Sequence, residues 1–275
     1  MILSAASRLF GRAKALFEPK PGRGKRHADA SDPLRTTPSE AVVWAWGELK
    51  KRRHPVRHAV DAGCGKGRNS IFLAEQGADV VALDFMPGAV AHLKADAKAK
   101  GLSHKIRALV YDVTDGWPVP QHGIDLVADA FCFKHITGRD SRLAYKQNIV
   151  QALDVRGHYL ISFASIGDGY YGRYIVKHFG DGSALTLDPA TNLQSVLFTR
   201  EHVLEFFAPE FKPMEEKFSN EAEPADGQEI RRQSYAILFE RNPKSQGGGY
   251  ARVTPETRTI QPKYFGKFPA VDEKE

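Results

Sequence analysis

From residue 56 to residue 164 the chain alternates short apolar runs with amphipathic stretches, and few folds accept that rhythm. HAVDAG (58–63), ADVVALD (78–84), KIRALVYD (105–112), GIDLVADAF (123–131) and GHYLISFA (157–164) read as strands. RNSIFLAEQG (68–77), PGAVAHLKADAKAKG (87–101) and SRLAYKQNIVQAL (141–153) read as helices between them. Strands separated by helices pair in parallel through right-handed crossovers, so the expected class is α/β with a doubly wound, mostly parallel, seven-stranded sheet.

The flanks are less regular. Thr37-Pro38-Ser39-Glu40 reads as a helix start with Thr37 as N-cap and Pro38 in the first turn, opening the stretch AVVWAWGELKKRR. After Phe163 the rhythm breaks: residues 165–198 hold five glycines and read as an insertion. Residues 200–208 read as a helix, and strands 211–218 and 233–240 face each other as an antiparallel C-terminal pair across the polar segment NEAEPADGQEI. The expected division is a basic arm and linker (1–36), one domain (37–241) carrying the insertion, and a loosely held tail (242–275).

Composition bounds the function. The 275 residues are 42% hydrophobic with 16 phenylalanines, enough for one sizeable core. No run of about 18 apolar residues occurs, so no transmembrane helix is expected. Cys64 and Cys132 are the only cysteines and belong to no CxxC or Cys/His cluster, which points to a reducing, cytoplasmic setting and to no metal site. The net charge of +6 suggests nucleic acid until it is located. Residues 1–27 carry seven Lys or Arg against Glu18, which is 7 − 1 = +6, so the remainder is neutral. The body therefore lacks a phosphate-binding surface, and nucleic acid is not expected as a partner. Within the arm, residues 1–17 place apolar side chains at helical spacing; three readings stand, peripheral membrane contact, an organellar presequence, or a helix docked on the body.

The chemistry concentrates at VDAGCGKG (60–67). A strand ending in Asp61, a turn built of Gly63, Gly65 and Gly67, and a following helix bring bare backbone and helix-start N–H groups to one place. Gly63 and Gly65 read as allowing a ligand to approach closely, and Gly67 as letting the helix pack near the strand. The next strand ends in Asp84, 21 residues after Gly63, near the spacing of about 20 at which an acidic residue holds ribose hydroxyls. Two more strands end in Asp112 and Asp129, so four acids are expected around one crevice outside the strand ends.

These residues, together with ALD (82–84), YDV (111–113), DLVADAF (125–131) and the closing strand pair, resemble the class I S-adenosylmethionine-dependent methyltransferases over about residues 40–241. GCGKGRNS, FTREHVLEFF (198–207) and SYAILFER (234–241) look most like the tellurite-resistance and thiopurine-type small-molecule branch. The resemblance implies a Rossmann-like methyltransferase fold, S-adenosyl-L-methionine as cofactor and S-adenosyl-L-homocysteine as product. It implies that Asp61, Ala62, Gly63, Cys64, Gly65 and Gly67 hold the methionine moiety. Asn69 stands beside them, with a structural role at the helix start as the equal alternative. Asp84 would accept both ribose hydroxyls, Phe85 and Met86 would sandwich the adenine, and Asp112 and Val113 would read its edge. Asp129, Ala130 and Phe131 would line the path to the sulfonium.

Two stretches could wall an acceptor. In FCFKHITGRD (131–140), Lys134 could orient an anion and His135 could take a proton, the alternatives being a solvated lysine and a histidine capping the next helix. In SFASIGDGYYGRY (162–174), Tyr170, Tyr171 and Arg173 stand beside glycines like a lid, or simply pack. Cys132 reads as packing rather than as a nucleophile. The expected activity is methyl transfer to a small-molecule acceptor: a thiol, a chalcogen oxyanion or a carboxylate. The alternatives are an RNA or protein methyltransferase guided by the basic arm, a cofactor-binding protein without turnover, and a nicotinamide-dependent oxidoreductase.

Overall fold

The structure is a computed structural model that describes residues 36–189, 191–225 and 228–245. The basic arm and nearly all of the tail expected from the sequence lie outside those residues.

Helix α1 (Glu40–Lys51) precedes strand β1 (His58–Ala62), helix α2 (Arg68–Glu75), β2 (Asp79–Asp84), α3 (Pro87–Ala99) and β3 (Ile106–Val110). Then come β4 (Ile124–Ala130), α4 (Arg139–Ala152) and β5 (Leu153–Ala164), and the insertion supplies β6 (Ile175–His178), β7 (Ser183–Asp188) and β8 (Leu193–Phe198). Helix α5 (Arg200–Phe207) leads to β9 (Phe211–Ala225) and β10 (Gln228–Arg241). The main sheet has seven strands in the order β3-β2-β1-β4-β5-β10-β9. Its first five strands pair in parallel and β10 runs antiparallel to both neighbours. Strand order reverses at β1, which pairs with β2 on one side and β4 on the other, so a crevice opens outside the carboxyl ends of β1 and β4.

Both faces of the sheet are covered, which is why its strands are almost continuously apolar. Val60, Val127, Tyr159, Ile161 and Phe239 face one core with Phe133, Tyr145 and Phe207; Ala59, Leu126, Ala128, Leu160 and Leu238 face the other with Val42, Leu49, Leu73 and Leu93. Alternate residues of one strand serve opposite cores, the period-two rule of a pleated strand.

Two sequence expectations are corrected. Helix α1 is capped by Ser39 rather than Thr37: Ser39 Oγ accepts from the Val42 N–H. The segment NEAEPADGQEI does not interrupt the terminal strands but lengthens them, with ladder pairs running out to Ala225 and Gln228. Only Ser234 to Glu240 of β10 pair with β5, so the outer half of this hairpin extends past the main sheet as a two-stranded ribbon. The insertion folds into its own three-stranded antiparallel sheet, β6-β7-β8. Among the described residues no helix is long and apolar enough to cross a membrane.

Candidate active site

The glycine turn lies at the reversal point, and its three glycines do different work. A Cβ on Gly63 would stand 2.7 Å from Cβ and Sγ of Cys132, so this glycine lets the β1 turn pack against the segment after β4. A Cβ on Gly67 would stand 2.1 Å from Leu93 Cδ1, so this one admits α3 rather than the strand. At Gly65 an added Cβ would meet nothing within 4 Å, although the backbone is left-handed at φ +54°. Bare backbone faces open space at Gly65, whereas the space beside Gly63 is taken by Cys132.

Asp84 closes the turn from β2. Its Oδ2 accepts the Gly65 N–H at 2.8 Å and its Oδ1 accepts the Met86 N–H at 2.8 Å. A carboxylate offers about four acceptor positions, two of which these N–H groups use. The next side chain, Phe85, is 50% exposed at the strand end, an apolar ring presented to solvent beside an oriented acid. Asp112 accepts the Thr114 N–H and hydroxyl on Oδ1, and the Val113 carbonyl is taken by Trp117 and Asn148.

The other two acids are buried. Asp61, 1% exposed, accepts the Ser70 hydroxyl at 2.6 Å; burial raises its carboxyl to about 6 against the pull of that hydroxyl, with the charge of Asp84 adding in the same direction. Asp129 is sealed: it accepts the Cys132 N–H (2.7 Å), the Phe133 N–H (3.1 Å) and the Tyr145 and Tyr159 hydroxyls (2.7 and 3.4 Å). Burial raises Asp129 to about 7. These bonds tie it to the turn after β4, and it is 0% exposed. Asn69 is likewise corrected to the structural alternative, since it is buried with Oδ1 holding the Ser39 N–H at 2.8 Å. Ala62 and Cys64 are buried, the Cys64 N–H donating to the Leu83 carbonyl. Burial pushes both thiols, Cys64 and Cys132, well up, which makes poor nucleophiles of them at neutral pH.

The Asp129 clasp has a visible consequence. Phe131, between Ala130 and the clasped Cys132, takes φ +70°, a left-handed conformation rare for an aromatic residue, fixed by its N–H on the Ser162 carbonyl. Its ring centroid lies 5.5 Å from the ammonium of Lys134, and the Tyr171 centroid lies 3.7 Å from the same ammonium. Lys134 is 4% exposed, and no carboxylate of the described residues pairs with it. The expected solvated alternative for Lys134 is overturned. His135 is exposed and does not cap α4, whose N-cap is Gly138; its Nδ1 lies 3.2 Å from Ser195 Oγ on β8.

Sequence reasoning missed the residue that holds the second wall. Asp168, 2% exposed, takes the Tyr170 and Tyr171 N–H groups on Oδ1 and the Arg232 Nε and Gln233 N–H on Oδ2. The projecting hairpin and the insertion thus share one buried carboxylate. The flanking glycines are not hinges: a Cβ on Gly167 would stand 2.4 Å from Gln233 Oε1, and one on Gly169 2.8 Å from the Arg231 carbonyl oxygen. Arg173 and Arg232 stack on Tyr170 at 4.7 and 5.2 Å, which gives a wall of alternating rings and cations. Lys66 was also missed; its Nζ is buried without a hydrogen-bond partner.

Over residues 59–157 the chain matches the family described as a methyltransferase domain. It is 30% identical over 104 residues to a 2-heptyl-1-hydroxyquinolin-4(1H)-one methyltransferase of Mycobacteroides abscessus, covering 37% of this chain and 44% of that protein, so the match spans less than half the relative's length. In fold it is similar to the Burkholderia thailandensis 1,6-didemethyltoxoflavin-N1-methyltransferase, solved with 1,6-didemethyltoxoflavin and S-adenosylhomocysteine (19% identity, 88% of this chain and 92% of that one, TM-score 0.55). It is also similar to the N-methyltransferase NodS of Bradyrhizobium japonicum WM9, solved with S-adenosylhomocysteine (16% identity, 79% and 95%, TM-score 0.56). The sheet order agrees with these folds, and the glycine turn lies within the segment, residues 59–157, that matches the methyltransferase-domain family.

Proposed function

We propose that this chain, whose centre is a methyltransferase domain, transfers the methyl group of S-adenosyl-L-methionine to a small-molecule acceptor that reacts as an anion. The acceptor classes are a thiol, a chalcogen oxyanion and a carboxylate, in keeping with the resemblance of GCGKGRNS to the tellurite-resistance and thiopurine-type branch. The observation that carries the reading is one run of contacts. Uncovered backbone at Gly65 meets the Asp84 carboxylate, Gly63 packs on Cys132, and the Phe131 ring lies beside the ammonium of Lys134, a residue 4% exposed that no carboxylate of the described residues pairs. The residues present fit the cofactor: Gly65 offers a cradle that a side chain would fill, and Asp84 is an oriented acceptor for paired hydroxyls. The names of two matched proteins, each for a small heteroaromatic substrate, support the small-molecule part of the reading.

When bound, the cofactor supplies an electrophilic methyl on a sulfonium. The chain's own residues then have three tasks. Asp84 and the Gly65 backbone fix the adenosine end, with Phe85 and Met86 against the base and the Asp112–Val113 segment at its edge. Lys134 holds the acceptor's negative charge; a desolvated ammonium over two rings keeps about 2 kcal/mol of cation–π attraction but gains more from an anion. Phe131, Tyr170, Tyr171 and Arg173 exclude water and align the acceptor, and such alignment is worth roughly 7–11 kcal/mol. His135, at the rim, takes the proton of an acceptor that arrives neutral.

The test is a calorimetric titration with S-adenosylhomocysteine followed by a panel of thiols, chalcogen oxyanions and carboxylates with S-adenosylmethionine. Saturable binding and methylation of a panel member are expected; no binding would refute the cofactor, and activity confined to RNA or protein would refute the acceptor class. The RNA or protein reading rests on residues 1–27, so turnover lost on deleting them, for macromolecules only, would favour it.

A further inference from the structure

Arg232 stands on β10 where that strand has passed its ladder with β5 and pairs with β9, opposite Glu221. It lies outside residues 59–157, the segment that matches the family. Its Nε donates to Asp168 Oδ2 at 3.0 Å and its Nη1 to Glu223 Oε2 at 3.0 Å, so two carboxylates answer its charge. The backbone around it is tied to the loop after β5. The Gln233 N–H donates to Asp168 Oδ2, the Gly169 N–H to the Arg231 carbonyl and the Ser165 N–H to the Gln233 carbonyl. A guanidinium held in this way is a planar group suited to aromatic rings, which an ammonium is not. Its carbon lies 5.2 and 5.3 Å from the ring centroids of Tyr170 and Tyr171.

The Tyr171 ring carries a second cation. The Lys134 ammonium lies 3.7 Å from its centroid, and Lys134 is 4% exposed with no acid of the described residues paired to it. Lys134 follows β4 and Tyr171 follows β5, which pair in parallel, so this contact joins the segments beyond their carboxyl ends. The place of a long side chain that lacks an acid is set by the rings around it. Phe131 is fixed through its own N–H on the Ser162 carbonyl. Tyr171, half-buried in the insertion, is held by Asp168 at its N–H and by Arg232 at its ring. We infer that Arg232 is a positioning residue for methyl transfer: clasped by Asp168, it holds the Tyr171 ring over Lys134 and so fixes where the acceptor's charge is met. This role rests on the proposed function, in which Lys134 holds that charge, and it gives the overlong hairpin a task there. Already paired with two carboxylates, Arg232 acts through the ring rather than on the acceptor.

The test is acetylation of the full chain with acetic anhydride, read lysine by lysine by mass spectrometry, on the wild type, Arg232→Gln and Arg232→Lys. Lys146, whose partners are Glu210 and the Phe206 carbonyl, is the internal reference. Relative to Lys146, Lys134 should be acetylated roughly three- to thirtyfold faster in Arg232→Gln, the range that a cation–π attraction spans. Arg232→Lys keeps a cation beside Asp168 without the planar group, so it should show the same direction and stands in if Arg232→Gln melts too early. Affinity for S-adenosylhomocysteine should stay within about twofold in both variants. With thiophenol, selenite and benzoate as probes, the KM of any that the wild type methylates should rise about tenfold in Arg232→Gln, with kcat within about threefold. Lys134 labelled as slowly as in the wild type, Lys134 and Lys146 rising together, or a kcat that falls while KM stays would each overturn the assignment and leave the proposed function intact. A wild type that methylates none of the three probes would sink the acceptor reading, and this role with it, whatever the labelling shows.

Discussion

The N–H of Gly65 donates to Asp84 Oδ2 across 2.8 Å, joining the turn after β1 to the acid that ends β2. The two residues are 19 apart in the chain, and their bond fixes the carboxylate beside the one glycine whose Cβ position is open. An acceptor group aligned in this way loses little entropy when hydroxyls arrive, which is what preorganisation means for a binding site.

Asp84→Ala should therefore lower S-adenosylhomocysteine affinity by about a hundredfold or more. Two charge-assisted bonds to the ligand, at about 1.5–3 kcal/mol each, would be lost along with the order of the Gly65 and Met86 amides. Calorimetry measures it, and an affinity within about threefold of the wild type would move the ribose site elsewhere.

The three glycines should separate by experiment. Gly67→Ala would press into Leu93 in a left-handed backbone and should destabilise by about 2–4 kcal/mol in urea unfolding. Gly65→Ala meets no atom within 4 Å and should cost only about 1–2 kcal/mol of stability while weakening cofactor binding more than tenfold. Equal effects of the two on stability and affinity would show that the division of labour is not real.

Removing the Asp168 carboxylate should loosen the acceptor wall without touching the cofactor site. Asp168→Ala leaves the Arg232, Tyr170, Tyr171 and Gln233 donors unpaired and should cost about 2–3 kcal/mol. Limited proteolysis should speed up within residues 165–198 while S-adenosylhomocysteine affinity stays within about twofold. A proteolytic pattern identical to the wild type would show that the clasp carries little of the wall's stability.

Lys134→Met should fold about as well as the wild type. An ammonium with no acid beside it, held only by two rings, gives way to an apolar chain of similar length, so stability is expected to stay within about 1 kcal/mol. Methylation of whichever anionic acceptor the panel identifies should fall more than tenfold with cofactor affinity unchanged. A variant that unfolds more readily yet turns over normally would make Lys134 a packing residue.

Stability should depend on pH through His158. It is buried beside His54, with ring centroids 4.8 Å apart. Burial first, then the neighbouring His54, lowers it to about 4, so below its ordinary value near 6.5 the folded state binds fewer protons than the unfolded one. The contribution of neutral His158 is complete above about pH 6.5 and is lost as pH falls toward 4. Asp61 and Asp129, raised to about 6 and 7, act in the opposite sense, since their protonation favours the folded state as pH falls. Comparing the wild type with His158→Gln isolates the histidine: the wild type should lose stability relative to the variant between pH 7 and 4.5. A constant difference across that range would refute the assignment.

Much of this protein is written locally. The alternation of strand and helix patterns placed β1 to β5 to within a few residues, except that β5 begins four residues earlier than expected, because each run's apolar period reports the two-sided burial it will have. The positions of the glycine turn and Asp84 were legible for the same reason: they follow from spacing along a βαβ unit. What the sequence could not say is which polar groups end up paired, because partners come from distant segments. Asp129 is a strand-end acid like Asp84 in the sequence, yet Tyr145 and Tyr159 close over it and turn it into a core residue. Asp168 looked like a loop residue until Arg232, 64 positions on, met it from an overlong hairpin. Lys134 could be read from the sequence as orienting an anion or as solvated; only tertiary packing left it 4% exposed beside the Phe131 and Tyr171 rings with no acid of the described residues paired to it. Period and spacing fix the scaffold because they act over a few residues, whereas the charge balance of a site is decided by everything the fold brings around it.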